Sequence, residues 1–531
     1  MTLHQRNQSL QVEKRRALQQ LRSKDQLLEK YIFMAQLRTR NIALFYKLVI
    51  EHLQELAPVI YTPTVGTACL EYSNILPYLA EPGVPDGLFL NKADLPNLHK
   101  VIRDYQPFPN FSPQIAVISD GSRILGLGDL GLNGMGIPIG KLQLYVAGAG
   151  IDPRRTLPIL LDLGTNNEAL RNDEFYLGQR EPRPDDKEFY SIVDTVLKTL
   201  KDVYPDMLIQ FEDWSSEHAF GLLERYQHKM LCFNDDIQGT GAVILSGIMN
   251  AIRRVQSESG VNPRDHRIVF YGAGSAAIGV ARQIQEYFMI DQHMPEDQAR
   301  RLFWIVDSKG LVTLDRGDKL ANHKVYYARK DNQGKQVKGL LNVVDYVKPT
   351  ILIGLSSVSG AFDTHVLQRM AKLNKQPIIF PLSNPATKAE CTFEQAMQAT
   401  DNRVIFASGT AFPAFTLPGN NKTIYPDQGN NMYIFPGLGM GAALARPAII
   451  TYRMIYVAAK ALADSLTPQE QQEGYLYPAL NRIRQVSAQV AAAVMIEADS
   501  SKYKSKDAVS RYVQSQMWNP DKEDPAIISK I

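Results

Sequence analysis

The sequence predicts an α/β fold that consists of two α/β domains with helical N- and C-terminal regions. Short β-rich runs alternate with helical patterns through the middle of the chain, which is typical of a layered α/β protein. Apolar residues recur three and four positions apart near both ends of the chain, which favours helices there. The length of 531 residues exceeds what one hydrophobic core usually organises, so two or more large domains are expected.

The first part of the chain is predicted to be helical over residues 10–57, because few helix breakers interrupt the apolar repeat. Pro58 and Pro63 are predicted to end this region. From about residue 75 to 235, the runs QIAVISD, TLPILLDLG and DMLIQFED predict strands. Between them, EFYSIVDTVLKTLKDVY has the apolar spacing of a helix.

A second α/β unit is predicted to begin near residue 235. The run GAVILSGIMNAIRRV predicts a helix, and RIVFYG predicts the strand that follows it. Further strands are predicted at LFWIVD, TILIGLS, QPIIFPLS and RVIFASG, and the tail from residue 448 onward is again mostly helical.

Composition excludes several classes of protein. The formal net charge is +3 and both signs are interleaved, so neither nucleic acid nor a membrane is an expected partner. The three cysteines are far apart and odd in number, which fits neither a disulfide framework nor a thiolate zinc site. No uncharged apolar run is long and apolar enough to span a membrane, and the N-terminus lacks a hydrophobic signal core. We therefore expect a cytoplasmic protein, with the mitochondrial matrix as the alternative.

The segment RIVFYGAGSAAIGVARQI predicts a turn that binds a dinucleotide. Gly272, Gly274 and Ala277 fill the G-x-G-x-x-G/A frame between a buried strand and a helix. The glycines allow a tight turn and let the backbone approach a pyrophosphate at the helix N-terminus. The next strand ends in Asp307, which is suited to a ribose hydroxyl. A Rossmann-type domain is therefore predicted, and a glycine-rich turn in another α/β fold is the alternative.

The residues after this aspartate bear on the choice of cofactor. An aspartate alone favours NAD, because it repels the 2′-phosphate of NADP. Here Ser308 and Lys309 follow directly, and Lys319 and Lys324 come later, so hydroxyl and cationic groups could bind that phosphate. NADP is favoured on this basis, and NAD stays open.

Four carboxylates are predicted to meet at the edge of the first α/β domain. Glu212 and Asp213 end an apolar strand, and Asp235 and Asp236 follow a second apolar run about twenty residues later. None of the nine histidines falls in these runs. Oxygen ligands without nitrogen or sulfur suit Mg²⁺ or Mn²⁺. Helix caps or solvated loop charges are the alternative interpretation.

Several longer motifs stand in an order that is similar to that of the malic enzyme family. They are YTPTVG, SRILGLGDLGLNGMGIPIGKL, QFEDW, FNDDIQGTGAV, GAGSAAIG, PLSNPA and QGNNMYIFPGLG, and the resemblance runs from about residue 12 to the end. It implies an enzyme that oxidises and decarboxylates L-malate to pyruvate and CO₂, using NAD or NADP and a divalent metal. The resemblance also implies self-association, as a homotetramer or a homodimer.

The resemblance assigns roles to residues of the first α/β domain. It implies that Mn²⁺ or Mg²⁺ is bound by three carboxylates, which are those of Glu212, Asp213 and Asp236. Lys141 would be the general base, with Asp235 beside it. A lysine can serve as a base near neutral pH if burial and a neighbouring cation lower its pKa.

Further roles concern protonation and the substrate. Tyr61 would be the general acid that protonates carbon, and Arg123 would hold a malate carboxylate through a bidentate contact. Asn384 and Asn430 would contact the substrate near the nicotinamide, and Asn384 would also touch the cofactor.

An effector site is a further expectation. Some members of the family are activated by fumarate, which is held by two arginines of the N-terminal helices. Arg40 stands at one matching place and Arg16 is the candidate for the other. Solvated helical arginines are the alternative.

Four parts are predicted along the chain. Residues 1–79 form a helical N-terminal region with oligomer contacts, and residues 80–234 form an α/β domain for substrate and metal. Residues 235–430 form a Rossmann-like NAD(P)-binding domain. Residues 431–531 partly return to the substrate domain and then form a helical tail.

Two rival functions are kept. A malolactic enzyme resembles the family but releases lactate and retains its NAD. A catalytically silent, nucleotide-binding regulatory protein is the second rival, although none of the expected catalytic residues is missing from the sequence.

Overall fold

The computed structural model describes residues 10–80, 86–419 and 421–522. The chain divides into two compact units. The first unit comprises Met1–Asp236, Phe435–Met454 and Leu480–Ile531, and the second comprises Ile237–Ile434 and Ile455–Ala479. The first unit is thus built from three separate segments of the chain and the second from two.

The first unit begins with six consecutive helices. They are α1 (Leu10–Arg22), α2 (Leu27–Arg40), α3 (Ile42–Glu51), α4 (Leu53–Ile60), α5 (Thr64–Leu70) and α6 (Tyr72–Leu79). The prediction that Pro58 and Pro63 end the helical region is wrong. Pro58 lies inside α4, and Pro63 caps the start of α5, where a missing N–H costs no helical hydrogen bond.

A parallel five-stranded sheet follows in the first unit. Its strands are β1 (Leu88–Asn91), β2 (Ile115–Ser119), β3 (Thr156–Asp162), β4 (Leu208–Phe211) and β5 (Cys232–Asn234). Their order is β1-β3-β2-β4-β5. The helices are α7 (Leu98–Asp104), α8 (Gly136–Ala149), α9 (Glu168–Asn172), α10 (Asp186–Val203) and α11 (Ser216–Tyr226). All residues of α8 are buried, which is expected of a helix that is apolar on nearly every side.

The second unit contains a seven-stranded sheet. Its strands are β6 (Ile268–Tyr271), β7 (Phe303–Asp307), β8 (Gly310–Leu311), β9 (Ile351–Gly354), β10 (Ile378–Pro381), β11 (Ile405–Ser408) and β14 (Asp427–Gln428), while β12 (Phe415–Thr416) and β13 (Thr423–Ile424) form a separate hairpin. The order is β14-β11-β10-β9-β6-β7-β8, and each neighbouring pair is parallel except β7 and β8.

This order identifies the type of fold. With β6 to β11 counted as strands one to six, the sheet reads 6-5-4-1-2-3, which is the doubly wound arrangement of dinucleotide-binding domains. The helices of this part are α12 (Thr240–Ser259), α13 (Ser275–Ile290), α14 (Glu296–Arg300), α15 (Asn322–Val325), α16 (Leu340–Val347), α17 (Thr364–Leu373) and α18 (Phe393–Ala399). The predicted α/β class with a Rossmann-type domain is confirmed.

The C-terminal part is helical, as predicted. Its helices are α19 (Phe435–Ala445), α20 (Tyr452–Ala463), α21 (Pro468–Glu473), α22 (Ile483–Ala498) and α23 (Lys506–Gln516). Within the first unit, α19 and α22 pack on α8, and a Cβ on Gly148 of α8 would lie 3.4 Å from the Pro436 side chain. In the described part of the chain, every helix is too short or too polar to cross a membrane.

Candidate active site

The register of two neighbouring strands brings four carboxylates to one edge of the first sheet. Phe211 of β4 pairs with Asn234 of β5, so the residues that follow each of them leave the sheet side by side. Glu212 and Asp213 follow β4, and Asp235 and Asp236 follow β5. One carboxylate oxygen from each of Glu212, Asp213 and Asp236 lies within 4.8 Å of the others.

The backbone contributes to this convergence. Asp213 adopts a φ of 53°, in the left-handed region that non-glycine residues seldom occupy. Its backbone N–H donates a hydrogen bond of 2.9 Å to Asp236 Oδ2, and its own Oδ2 accepts one of 3.1 Å from the N–H of Leu125. Strained backbone of this kind persists where surrounding contacts hold it, and it is common at functional sites.

Burial, and next the mutual repulsion of the carboxylates, raise the pKa values of Glu212, Asp213 and Asp236. Burial, together with the charge of Asp236, raises the pKa of Asp213 to about 8. Burial also raises the pKa of Glu212 well above its usual range, although Lys141 opposes the shift. Three close carboxylates with an all-oxygen donor set fit a hard divalent cation, which would relieve their mutual repulsion. The residues present are therefore suited to Mn²⁺ or Mg²⁺.

Lys141 lies beside this carboxylate cluster. It projects from α8, is 4% exposed, and its Nζ lies 2.8 Å from both Glu212 Oε1 and Asp235 Oδ2. Burial lowers the pKa of Lys141, but the charges of these two carboxylates outweigh it and raise the pKa well above its usual value. The expectation of a lowered pKa assumed a neighbouring cation. The groups that contact Nζ are carboxylates, so a lowered pKa stays a prediction that requires the divalent cation to be bound beside them.

Tyr61 completes the group on the side of the N-terminal helices. It directly follows α4, and its hydroxyl donates to Glu212 Oε1 at 3.4 Å. The Lys141 Nζ lies 5.3 Å from the centre of its ring. A Cβ on Gly140 would lie 2.6 Å from the ring, so the glycine before Lys141 leaves the space in which this ring packs. Burial raises the pKa of Tyr61 well above its usual value, which keeps the phenol protonated.

Arg123 is exposed at the mouth of the cluster. It lies in the loop after β2 and donates a hydrogen bond to Ser216 Oγ at the start of α11. Burial raises the pKa of both Asp213 and Asp236, and the charge of Arg123 opposes this rise, so the guanidinium is close to the carboxylates without pairing directly with either. An exposed guanidinium in this position can bind the carboxylate of a small acid.

The two predicted substrate asparagines belong to the second unit. Asn384 is exposed in the loop after β10. Asn430 is also exposed, and its Oδ1 accepts a 2.9 Å hydrogen bond from the N–H of Met432, which caps a short 3₁₀ turn. Both therefore present an amide at the surface of the second unit.

The predicted dinucleotide turn joins β6 to α13 in the second unit. Gly272 has a φ of 123°, and a Cβ there would lie 2.3 Å from the carbonyl oxygen of Leu355, so only glycine fits. Gly274 is the N-cap of α13, and no atom of the described residues lies within 4 Å of where its Cβ would be. Ala277 is buried in the first turn. Open space above a helix N-terminus suits a pyrophosphate.

Asp307, at the end of β7, is already paired with cations. Arg316 contacts both of its oxygens at 2.7 and 2.9 Å, and Lys324 Nζ lies 2.9 Å from Oδ2. Burial raises the pKa of Asp307, but these hydrogen bonds outweigh it and lower the pKa to about 2. The exposed Ser308 and Lys309 follow, and they help to line an adjoining cavity of about 470 Å³.

Arg316 was missed by the sequence reasoning. It stands in the loop RGDK among alternating charges, and no spacing rule separates it from an ordinary solvated residue. A search for cations near the acid at the end of the second strand could have included it, since it is closer in sequence to Asp307 than Lys319 and Lys324 are.

Comparisons with known proteins identify the family. Residues 38–227 match the family model of the malic enzyme N-terminal domain, and residues 237–499 match that of the malic enzyme NAD-binding domain. The NADP-dependent malic enzyme of Dictyostelium discoideum is 48% identical, over 97% of this chain and 92% of that protein. The chloroplastic NADP-dependent malic enzyme 4 of Arabidopsis thaliana is 42% identical, over 93% of this chain and 73% of that protein.

Solved structures give the same result. The malic enzyme of Pyrococcus horikoshii superimposes with a TM-score of 0.55 at 25% identity, covering 87% of this chain and 88% of that one. The N-terminal and NAD-binding domain models of one family match consecutive parts of the chain and together cover most of it. A relative matches it over nearly its whole length. The chain therefore belongs to the malic enzyme family.

Proposed function

We propose that this protein catalyses the oxidative decarboxylation of L-malate to pyruvate and CO₂, with reduction of NADP⁺ and with a divalent metal. The observation that carries the proposal is the carboxylate cluster of Glu212, Asp213 and Asp236, in which Glu212 lies within hydrogen-bonding distance of the buried Lys141. These three residues would hold Mn²⁺ or Mg²⁺, which stabilises negative charge on the oxygens of a bound hydroxy acid.

Lys141 is the proposed base. Its Nζ would accept the hydroxyl proton of malate while the hydride of the same carbon is transferred to the nicotinamide. Two carboxylates contact Nζ, and the charge of one of them, Glu212, would be offset by a bound divalent cation, which would favour the neutral amine that accepts this proton. Asp235, which is 0% exposed, would keep Nζ in place through its 2.8 Å contact.

Tyr61 is the proposed acid. Loss of CO₂ breaks a carbon–carbon bond and leaves an electron pair on carbon as an enolate, which must gain a proton to become pyruvate. The Tyr61 hydroxyl lies 3.4 Å from Glu212 and is held in its protonated form, so it can donate this proton. Arg123 is the proposed partner of a malate carboxylate, since its guanidinium is exposed beside the cluster.

NADP is the proposed cofactor. Asp307 repels a 2′-phosphate when its oxygens are free, but here Arg316 and Lys324 occupy them. The adjoining cavity is also lined by Ser308 and Lys309, whose side chains can donate hydrogen bonds to a phosphate. The relatives that are named as NADP-dependent support the same choice.

The second unit would bind this dinucleotide through Gly272, Gly274 and Ala277. Asn384 and Asn430 would contact the substrate and the nicotinamide. In this proposal, residues 80–234 supply Lys141 and two of the metal ligands, and residues 235–430 bind the nucleotide. Tyr61 comes from the N-terminal helical region, and Asp236 stands at the beginning of the nucleotide segment.

Initial rates test the proposal. Purified protein is mixed with L-malate and Mn²⁺, and the absorbance at 340 nm is followed with NADP⁺ or NAD⁺. We expect one NADPH per pyruvate and a higher kcat/KM with NADP⁺. Lactate without net reduced cofactor would indicate a malolactic enzyme, and NADPH binding without turnover would indicate a silent nucleotide-binding protein.

Assembly is proposed from the exposed apolar residues of the N-terminal helices. Leu27, Leu70 and Tyr78 are 48, 49 and 58% exposed, which is a large apolar surface for adjacent helices to leave in water. A homotetramer or homodimer of a cytoplasmic enzyme would cover such residues. Sedimentation equilibrium would measure the mass, and a monomer at micromolar concentration would contradict this part of the proposal.

Regulation by a dicarboxylate such as fumarate is proposed at the N-terminal arginines. Arg16 in α1 and Arg40 at the end of α2 are exposed, and Arg16 contacts Glu13 at 3.0 Å. Malate saturation is measured with and without fumarate, in the wild type and in Arg40→Ala. Activation that the variant loses is expected, and identical curves for the wild type would contradict the site.

A further inference from the structure

Glu390 is a buried acidic residue that none of the steps above uses. It is 0% exposed and lies in the segment between β10 and α18. The parallel strands β9 and β10 are direct neighbours, so the loops that follow them leave the same edge of the sheet. A carboxyl group in such a place needs hydrogen-bond donors, because its desolvation is costly.

Two serines supply these donors, one from each loop. Ser356, after β9, donates to Glu390 Oε1 from its N–H and its hydroxyl, both at 3.0 Å. Ser383, after β10, donates from its hydroxyl to Oε1 at 2.5 Å and from its N–H to Oε2 at 3.3 Å. The Ser383 hydroxyl in turn accepts a 2.9 Å hydrogen bond from the N–H of Ser357. The side chain of Glu390 therefore connects the two loops.

The end of β9 is shaped to admit this side chain. A Cβ on Gly354 would lie 2.4 Å from Glu390 Cδ, so any other residue there would displace the carboxyl group. The close fit and the four donated hydrogen bonds leave Glu390 little freedom to move.

The two connected loops border the predicted nucleotide site. The carbonyl oxygen of Leu355 and the N–H of Ser356 lie 2.3 and 3.0 Å from the Cβ position of Gly272, so the first loop packs directly on the glycine turn. The second loop continues from Ser383 into Asn384. Strands β6 and β9 flank the point where the strand order reverses, which is where doubly wound sheets bind their ligands.

We infer that Glu390 is a positioning residue for the nucleotide site. It holds the loop after β9 against Gly272 and fixes the loop that carries Asn384, so that both are ordered before the dinucleotide binds. This inference rests on the proposed use of a dinucleotide, and it assigns Glu390 no contact with that molecule. When the loops are ordered in advance, no binding free energy is lost in ordering them. Loss of Glu390 should therefore weaken nucleotide binding.

The test compares two buried glutamates of the second unit in the full-length protein. Glu390→Gln keeps the size of the side chain but replaces one acceptor oxygen by an NH₂ group that faces donors. The matched control is Glu470→Gln. Glu470 is 8% exposed, accepts hydrogen bonds from Thr467 and Ala479, and caps α21, outside the loops that border the nucleotide site.

NADPH affinity is measured by fluorescence titration, and the melting temperature is measured for each variant. We expect both variants to melt at a lower temperature. Only Glu390→Gln should raise the Kd for NADPH and the KM for NADP⁺, on the order of tenfold. Ser383→Ala, which removes the hydroxyl between Glu390 and Ser357, should raise the same constants by a smaller factor.

The outcomes separate this inference from the proposed function. A wild-type protein that does not bind NADPH would overturn the proposed function. A wild-type protein that binds NADPH, with an unchanged Kd in Glu390→Gln, would overturn the positioning role. If Glu390→Gln does not fold, Ser383→Ala decides, and an unchanged Kd in that variant would equally overturn the role.

Discussion

Lys141 compensates two of the crowded carboxylates, because its Nζ lies 2.8 Å from each. Lys141→Ala removes both the charge and the proposed base. We expect the kcat for malate oxidation to fall by about 10³-fold or more, because general base catalysis contributes roughly 10²–10⁴-fold. The Kd for NADPH should change by less than about twofold, since the proposed nucleotide residues lie in the second unit.

Steady-state rates and NADPH titration measure these two effects. Lys100→Ala, at an exposed lysine of α7 in the same unit, serves as the control and should keep normal turnover. Turnover close to that of the wild type in Lys141→Ala would exclude the lysine as the base.

The buried His266 is expected to make the free energy of unfolding depend on pH. It is 0% exposed, its Nδ1 lies 2.8 Å from Thr350 Oγ1, and its Nε2 has no hydrogen-bond partner among the described residues. Burial lowers its pKa to about 4 from the ordinary 6.5. Between these values the unfolded chain binds a proton that the folded chain does not. Stability is therefore full above pH 6.5 and falls as the pH drops towards 4.

At pH 5 this loss amounts to about 2 kcal/mol. Urea unfolding at pH 7.5 and pH 5.0 measures it, provided that the unfolding of the second unit is followed separately. His266→Gln does not titrate and should show a pH dependence smaller by about this amount. Equal pH dependence in both proteins would contradict the assignment.

The proximity of the carboxylates could be predicted from the sequence, while some of their partners could not. Glu212 and Asp235 directly follow two apolar runs, and neighbouring parallel strands place such residues at one edge. The two carboxylates that contact the Nζ of Lys141 could not be predicted from local sequence, because they depend on which groups surround Nζ after folding. Arg316 was missed because a loop arginine looks the same in sequence whether it faces water or pairs with Asp307.

Among the elements, long strands and helices were predicted well and short strands were not. The patterns at β2, β3, β4, β6 and β7 are apolar runs with clear ends, and all are strands. In contrast, β14 has two residues and carries an aspartate, and β5 has three. Such strands are stabilised by their neighbours in the sheet rather than by their own sequence, so local patterns do not reveal them.

Arg316, in the loop after β8, is expected to influence the preference between NADP⁺ and NAD⁺. Arg316→Gln removes the bidentate partner of Asp307 and a cation beside the adjoining cavity. We expect the KM for NADP⁺ to rise on the order of tenfold, and the kcat/KM for NAD⁺ to stay or improve, because Asp307 can then accept from a ribose.

Initial rates with each cofactor provide the measurement, and the ratio of the two kcat/KM values is the readout. Lys372→Gln, at an exposed lysine of α17 in the same unit, controls for the loss of one positive charge. An unchanged ratio in Arg316→Gln would rule out a role for this arginine in cofactor choice.

For the protein as a whole, the carboxylate cluster predicts stabilisation by metal. A ligand that binds only the folded state stabilises it by about 2.7 kcal/mol at a concentration of 100 Kd. We expect Mn²⁺ to raise the melting temperature of the wild type, and EDTA to reverse the increase. Asp236→Asn should lose most of this effect, because it removes one of the three carboxylates.

The control for this experiment is Asp202→Asn, at an exposed aspartate of α10 in the same unit. It should retain the full increase with Mn²⁺. An equal increase in Asp236→Asn and in the wild type would show that the metal stabilises the protein from another place.

The first unit is built from separate segments of the chain, and this determines when it can fold. The centre of the Phe435 ring lies 4.6 Å from the Lys141 Nζ, and α19 and α22 pack on α8, the helix that carries this lysine. During synthesis the N-terminal half therefore leaves the ribosome long before the residues that complete its core have been made. Until then, apolar surface around α8 stays uncovered and is open to chaperones or to aggregation. A stop codon before Phe435 should yield an insoluble product, even though every metal ligand has already been translated.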